Sequence, residues 1–218
     1  MSAAETREKL LVGALRTLTE QGIAKTSART VAATAGVNQA LVFYHFGSVD
    51  ELLAAACRHG AEQRVAHYRP RLAAVTSLTE LLAFGRVMHD EEKRGGHVAF
   101  LGQLLAGAQT QPGLAPATAA GLDLWVDEIE KVLARVLEGS PIGEFTDPAG
   151  LARAVAAAFI GLELYEGVDE TGAMSALDAL EQLGGLVGAL EELGPVAQHA
   201  IRLRLRKVRR QAASLDVP

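Results

Sequence analysis

The sequence predicts an all-α protein, and three observations support this fold class. Apolar residues recur at intervals of three and four, as Leu10, Ala14 and Leu18 do, which is the spacing along one face of an α-helix. Hydrophobic residues make up 49% of the chain, and many of them are alanine and leucine, which favour helices. No segment shows the alternation of β-branched residues that is typical of a strand. We therefore expect helices packed against helices.

The N-terminal part is predicted to contain three helices. Gly22 and Gly36 separate them, because glycine readily adopts the left-handed backbone that ends a helix. Thr26 and Ser27 offer side-chain oxygens that can cap the second helix. The predicted helices span residues 4–20, 28–35 and 38–45.

Local signals also mark the later helices. The S-x-x-E capping box begins at Ser48 and again at Ser77. Pro116 suits a first helical turn, and Asp147 followed by Pro148 is a cap with proline at the first helical position. The predicted spans are 49–67, 78–92, 97–109, 116–138, 148–167 and 173–193, and then a basic helix after Gly194 and Pro195.

The net charge of −5 is unevenly distributed. Residues 1–70 carry eight Lys and Arg against six Asp and Glu, whereas residues 71–198 carry seven against 19. Residues 199–218 carry six against one. A mildly basic N-terminal unit on an acidic body is compatible with local contact to DNA.

Several classes of protein are disfavoured. No apolar run reaches the ~18 residues of a membrane span, and the N-terminus lacks a secretory signal, so we expect a cytoplasmic protein without membrane contact. Cys57 is the single cysteine, lies in an apolar run and is expected to be buried and inert. Hydrolase, phosphate-loop and zinc motifs are missing, which disfavours an enzyme and predicts no cofactor and no metal. A donor cluster is interpreted as a solvated helix end: His89, Asp90, Glu91, Glu92 and His97.

Residues 22–53 contain the most informative pattern. Two short helices meet at Gly36, which suits a left-handed turn, and small residues such as Ala32 let the helices approach closely. Two helices joined in this way form a helix-turn-helix, whose second helix enters the major groove of double-stranded DNA. Packing without DNA binding produces the same geometry, so the turn alone leaves both interpretations open.

The side chains around this turn suit DNA. Asn38 and Gln39 can each pair with adenine through their amides, and Ala40 can contact a thymine methyl group. Hydroxyl, imidazole and cationic groups flank them and suit phosphates. These flanking candidates are Lys25, Thr26, Ser27, Arg29, Tyr44, His45 and Ser48.

This segment resembles the N-terminal domain of TetR/AcrR-family repressors. The resemblance covers about the first 55 residues and implies that Arg29 and Gln39 read bases, with Ala40 in apolar contact. It also implies phosphate contacts by Thr26, Tyr44, His45 and Ser48. The residues that carry it are Gly22, Thr26, Ser27, Arg29, Ala32, Ala35, Gly36, Val37, Tyr44, His45, Phe46, Ser48, Glu51, Leu52 and Leu53.

The segment departs from the family pattern at four positions. Many members carry lysine where this chain has Gly47 and Val49, lysine or arginine at Gln39, and tyrosine at Phe43. These differences remove positive charge and one hydroxyl group. They put in doubt phosphate anchoring near residue 49 and any contact by Phe43 with a base or a phosphate.

The resemblance divides the chain into a DNA-binding domain at 1–50, a connecting helix at 51–70 and a ligand-binding and dimerisation bundle at 71–218. Small residues in the helices at 148–167 and 173–193 allow close packing, and the family uses such helices as a homodimer interface. Packing within their own body is the alternative. The basic C-terminal stretch is interpreted as a solvated helix that can pack against the acidic body, with DNA or membrane contact as alternatives.

Pocket candidates are large side chains in apolar helices, each of which also fits a plain core. Gln103 and Glu163 stand out, because a buried polar group needs a partner and a ligand can be one; exposure to solvent or a neighbouring helix is the alternative. The candidates are Phe84, Met88, Phe100, Gln103, Trp125, Phe159, Glu163 and Tyr165.

The predicted function is ligand-responsive regulation of transcription. A homodimer binds a palindromic operator as a repressor and a small-molecule effector releases it. The alternatives are an activator or chromosome-organising protein of the same fold without a metabolite ligand, and a helical protein-interaction module.

Overall fold

The structure is a computed structural model that describes residues 2–95, 97–110 and 113–213, and within them it is helical without strands. The predicted all-α class is confirmed. The helices are α1 Ala3–Gln21, α2 Ala28–Ala35, α3 Ala40–Phe46, α4 Val49–Ala74, α5 Leu78–Gly95, α6 His97–Thr110, α7 Ala115–Leu137, α8 Pro148–Glu166, α9 Glu170–Glu191 and α10 Pro195–Ala213.

The predicted caps form in most places. Ser27 Oγ accepts the backbone N–H of Thr30 at 3.2 Å, and the hydroxyl of Thr30 accepts the N–H of Ser27 in return. Asp147 accepts the N–H groups of Ala149 and Gly150, with Pro148 at the first position of α8. These bonds satisfy donors that a helix start leaves without partners, so the local sequence defines where α2 and α8 begin.

The predicted capping box at Ser77 forms only in part. Ser77 Oγ accepts the N–H of Glu80 at 3.1 Å, as predicted. The Glu80 carboxylate instead accepts both the N–H and the hydroxyl of Thr76, at 2.7 and 2.8 Å. These bonds hold the pKa of Glu80 below its usual range.

The predicted end of the fourth helix near residue 67 is wrong. Helix α4 continues through Pro70 to Ala74. Proline removes one backbone hydrogen bond from a helix interior but does not always end it. Arg135 donates to the carbonyl oxygens of Leu72 and Val75, both at 3.0 Å, and so satisfies acceptors around the end of this helix.

The chain forms two compact units, and their boundaries fall within α4, α5 and α7. The first comprises Met1–Arg69 and His89–Trp125, and the second comprises Pro70–Met88 and Val126–Pro218. The earlier division at residues 50 and 70 follows the family pattern and stays a prediction.

The core of the first unit is built on the N-terminal helices. Leu10, Val31, Val42 and Leu52, which belong to α1, α2, α3 and α4 in that order, are fully buried in one cluster. Leu104 of α6 and Leu114, which directly precedes α7, belong to the same cluster. Cys57 is buried there as predicted, and burial raises the pKa of its thiol to about 12. A thiol with such a pKa is protonated and unreactive at neutral pH.

In the second unit, α8 and α9 pack together and α5 packs on α9. Arg86 of α5 donates to Asp178 and Glu181 of α9, at 2.5 and 2.6 Å. Basic helix α10 is attached through Arg206, whose guanidinium forms two bonds with the Glu144 carboxylate, at 2.9 and 3.1 Å. This pair lowers the pKa of Glu144 and agrees with the interpretation of α10 as a solvated helix that packs against an acidic group.

Candidate nucleic-acid interface

Two glycines shape the turn on either side of α3. Gly36 ends α2 in the left-handed conformation, with φ +66° and ψ +37°, and Gly47 ends α3 with φ +78°. The N–H of Val37 donates to the carbonyl oxygen of Ala32 at 3.0 Å, which reverses the chain between the two helices. A side chain at either glycine would strain the backbone, so the helix-turn-helix geometry follows from these positions.

The start of α3 separates the two predicted amide readers. Asn38 Oδ1 accepts the backbone N–H of Ala40 at 2.8 Å, so this amide caps the helix. Bidentate pairing with adenine needs that oxygen, because adenine N6 donates to it while N7 accepts from the amide nitrogen. Gln39 is exposed, and within the described part of the chain its side-chain amide forms no hydrogen bond, while its backbone carbonyl accepts the N–H of Val42 at 3.1 Å. The structure therefore favours Gln39 over Asn38 as the amide reader.

The predicted hydroxyl groups also differ in what they can still donate. Thr26 Oγ1 donates its proton to the carbonyl oxygen of Gly22 at 2.9 Å, so its hydroxyl must rotate before it can donate to a phosphate. Ser48 Oγ accepts the N–H of Glu51 at 3.1 Å and keeps its own proton for a phosphate oxygen. Ser27 Oγ shares a hydrogen bond with Thr30 Oγ1 at 3.0 Å.

The cationic and aromatic candidates lie at the surface of the first unit. Lys25, Arg29 and Tyr44 are exposed, Tyr44 at 79%, and His45 is half-buried with its ring 5.0 Å from that of Tyr44. Within the described residues, Lys25 and Arg29 form no ion pair. Free cations beside an exposed helix can neutralise phosphates.

Two residues of this region show features that the sequence interpretation did not predict. Arg7 of α1 places its guanidinium 5.1 Å from the centre of the Phe46 ring, a cation–π contact that joins α1 to the end of α3. Phe43 is 49% exposed on α3, although it is large and apolar. The apolar character of Phe43 was visible in the sequence, but its outward direction depends on the packing of α3.

The pocket candidates fall into both units. Phe84, Met88 and Phe159 are half-buried in the second unit, and Glu163 is buried there at 3% exposure, so the alternative that Glu163 faces solvent is excluded. Tyr165 is about half-exposed, and its hydroxyl donates to Asp169 Oδ2 at 3.2 Å.

In the first unit, the half-buried Trp125 ring lies 5.7 Å from the ring of Tyr68. The side chains of Phe100 and Gln103 lie outside the described residues. A groove of about 320 Å³ in the second unit contains none of the predicted pocket residues. Its lining consists of Glu144, Phe145, Arg206, Arg209 and Arg210. The predicted ligand site therefore stays a prediction.

The interpretation of residues 89–97 as a solvated helix end is wrong for two of its members. His89 is buried at 2% exposure. Glu92 Oε1 accepts the hydroxyl of the fully buried Tyr68 at 2.7 Å and also forms an ion pair with Arg64. Arg64 in turn donates to the Tyr68 hydroxyl at 3.0 Å. A buried tyrosine hydroxyl needs such a partner, and Tyr68 lies 24 residues away from Glu92, so local sequence could not reveal the pair.

Helix α8 has the length and mean hydropathy, 1.2, of a membrane-crossing helix. Only 11% of that stretch is buried within the chain. The earlier criterion of uninterrupted apolar residues did not detect it, because Arg153 and Glu163 interrupt the run.

Comparisons with known proteins give a family match for the N-terminal helices and several solved structures of similar fold. Residues 10–56 match the family model described as bacterial regulatory proteins, tetR family. A structure from Rhodococcus sp., described as a TetR-family transcriptional regulator, is 24% identical, with a TM-score of 0.68 over 87% of this chain and 100% of the other.

Two further solved structures contain small molecules. The multidrug binding protein EbrR, in complex with imidazole, is 27% identical, with a TM-score of 0.60 over 86% of this chain and 96% of the other. The complex of SmeT with triclosan is 22% identical, with a TM-score of 0.58 over 80% and 89%. No curated protein sequence matches this chain significantly.

Proposed function

We propose that this chain, which belongs to the tetR family of bacterial regulatory proteins, represses transcription in the cytoplasm as a homodimer that a small molecule releases from a palindromic operator. The observation that supports this most directly is the exposed outer face of α3, with Gln39 at its start, together with the exposed cations Arg29 on α2 and Lys25 just before α2. Regulators of this family bind DNA and are not enzymes, in agreement with the sequence-based prediction.

Homodimerisation is supported by the outer surface of α8 and α9. Helix α9 buries Ala173, Leu177 and Gly184, which form one apolar stripe against its own unit. A surface helix of a globular protein needs only one such stripe. Helix α9 has a second one, half-buried or exposed, at intervals of three and four: Ala179, Leu183, Leu186 and Leu190.

Helix α8 carries a matching exposed stripe. Its members recur at the same intervals and are small or apolar, which allows helices of two copies to approach closely. They are Ala154, Ala157, Ala158, Gly161, Leu164 and Tyr165. Two neighbouring stripes of this kind form a self-complementary surface, and we infer that two copies bury them in a four-helix interface. The same packing accounts for the membrane-like hydropathy of α8.

A small-molecule effector is supported by the buried carboxyl group of Glu163 and by half-buried Phe84, Met88 and Phe159 in the same unit. Apolar walls with few polar groups are typical of ligand sites. The similar proteins EbrR and SmeT hold imidazole and triclosan, which are compact ring compounds. We propose a ligand of comparable size that has apolar rings and one hydrogen-bond donor, which binds the carboxyl group of Glu163.

DNA recognition is tested by fluorescence anisotropy with an operator from random-sequence selection. We expect Arg29→Ala and Gln39→Ala each to weaken binding at least tenfold, since each removes a contact to DNA from both subunits. Lys25→Ala, which removes a cation expected at a phosphate, should reduce the slope of log K against log salt by about two in the dimer, because each phosphate contact contributes about 0.9. Arg16→Ala is the matched control, because Arg16 is exposed on α1 and already paired with Glu20. A selection that returns no site would refute the proposal.

Effector sensing is tested by titrating candidate compounds with and without operator. A ligand that releases DNA must itself bind more weakly when DNA is present, and by the same factor. We expect reciprocal factors of about 5 to 150, the usual range of such coupling. An unchanged DNA affinity at saturating ligand excludes that compound as an effector. If every bound compound behaves this way, the chain is a DNA-binding protein without metabolite control.

A further inference from the structure

The outer face of α3 has an unusual chemical character for a DNA-reading surface. Val42 is fully buried, Leu41 and Phe46 are half-buried against the core of the first unit, and His45 is half-buried as well. The remaining positions of α3 face solvent. They are Ala40, Phe43 and Tyr44, with Gln39 and Gly47 at the two ends.

Residues 38–47, NQALVFYHFG, contain no lysine, arginine, aspartate or glutamate. Bidentate recognition of guanine relies on arginine or lysine, and recognition of the cytosine amino group relies on a carboxylate. Helix α3 offers neither, and the free cations Lys25 and Arg29 lie outside it. The groups that α3 presents are one amide, one phenol and two apolar side chains.

Phe43 and Ala40 lie one helical turn apart and form the centre of this face. Phe43 leaves 49% of its surface in water, an exposed area that costs free energy unless a partner covers it. Among the groups that base pairs of unmodified DNA present in the major groove, the thymine C5-methyl is apolar.

We propose that Phe43 determines operator specificity by covering thymine methyl groups, next to an adenine paired by Gln39. The proposal rests on the proposed function, because it requires that α3 enter the major groove. It assigns a role to the position where the family commonly has tyrosine, and it predicts half-sites with an A·T-rich segment under α3. The ring contacts the methyl group, and no charge-assisted bond to guanine is made from α3.

The experiment replaces single thymines of the selected operator with deoxyuridine, which pairs identically and lacks only the C5-methyl group. For the wild-type dimer, we expect at least one replacement per half-site to weaken binding about fourfold, the effect of exposing one methyl group. In the Phe43→Ala variant the same replacement should have no effect, because the partner of the methyl group is gone. Replacing that thymine with cytosine should also weaken binding by the wild-type protein. 5-Methylcytosine at the same position should recover part of the lost affinity, because it restores the methyl group.

Val12→Ala is the matched control, because Val12 of α1 is also 49% exposed and lies outside α3. It should leave both the affinity and the deoxyuridine effect unchanged. Phe43→Tyr keeps the ring and should keep the deoxyuridine effect. If the operator is bound but every deoxyuridine duplex binds equally well, or if the effect persists in Phe43→Ala, the inference is overturned while the proposed function stands. If no operator is selected, both fail.

Discussion

Replacing Leu186 with glutamate is expected to convert the dimer into a monomer and to weaken operator binding by a factor of 100 or more. Leu186 is 63% exposed in the isolated chain and lies in the middle of the second apolar stripe of α9. In a two-fold dimer, each copy would place one unpaired carboxylate in an apolar interface. Burying an unpaired charge costs several kcal/mol, so the monomer is favoured.

The loss of DNA affinity follows from the link between the two half-sites. A dimer binds its second half-site as an intramolecular event, which raises affinity by about 10²–10⁴ over a single domain. The monomer keeps the helix-turn-helix and should still bind one half-site weakly. The measurements are the molar mass from light scattering and the anisotropy of the labelled operator.

Val87→Glu is the control for this prediction. Val87 of α5 is 42% exposed and lies outside the two stripes, so glutamate should leave it in water without effect on assembly. A Leu186→Glu protein that keeps the dimer mass would contradict the assignment of this face. A wild-type protein that is monomeric at micromolar concentration would contradict homodimerisation itself.

The predictions that succeeded depend on residues close together in sequence. Gly36 ends α2 because of its own backbone preference, and Ser27 and Asp147 cap helices through residues two or three positions away. The outline of the helix-turn-helix could therefore be predicted from the sequence. The second stripe of α9 was also accessible to periodicity, because Leu183, Leu186 and Leu190 follow a helical spacing.

The predictions that failed depend on residues far apart in sequence. Helix α4 continues past Pro70 to Ala74. Arg135, more than 60 residues later in the chain, donates hydrogen bonds to carbonyl oxygens near this end. Glu92 is paired with Tyr68 and Arg64. The residues next to Glu92 in the sequence resemble a polar helix end and do not reveal these partners. Leu104 joins a core made mainly by the first four helices. Such contacts appear only when the chain is folded.

The candidate site shows the same division. The sequence identified Gln39 and Arg29, which the structure leaves exposed. Side-chain chemistry alone offered Asn38 and Gln39 as readers, and the resemblance pointed to Gln39; in the structure, the backbone N–H of Ala40 uses the side-chain oxygen of Asn38. The sequence left a contact between Phe43 and DNA in doubt, because many family members carry tyrosine at this position. The orientation of α3 presents this ring at the centre of the outer face.

The second large effect is expected at Gly13, where α1 approaches the end of α2. A Cβ at Gly13 would lie 2.8 Å from the Cβ of Ala35 and 3.2 Å from its Cα and nitrogen. These three atoms of Ala35 belong to the backbone or are fixed to it and cannot move aside, so α1 and α2 must separate. Such overpacking typically costs about 1–3 kcal/mol, against a gain of up to about 1 kcal/mol in helix propensity. We expect Gly13→Ala to destabilise the first unit by about 1 kcal/mol.

The contact at Gly13 lies next to the turn, because Ala35 directly precedes Gly36. Urea denaturation followed by the fluorescence of Trp125, the single tryptophan and a member of the same unit, measures the loss of stability. Gly60→Ala is the matched control, since its Cβ would meet only the movable methyl groups of Leu15 at 3.2 and 3.3 Å and should cost little. Ala35→Gly removes the nearest atom and should recover part of the stability in the Gly13→Ala background. Equal stability of the Gly13→Ala and Gly60→Ala proteins would mean that α1 and α2 tolerate a wider separation than their contact implies.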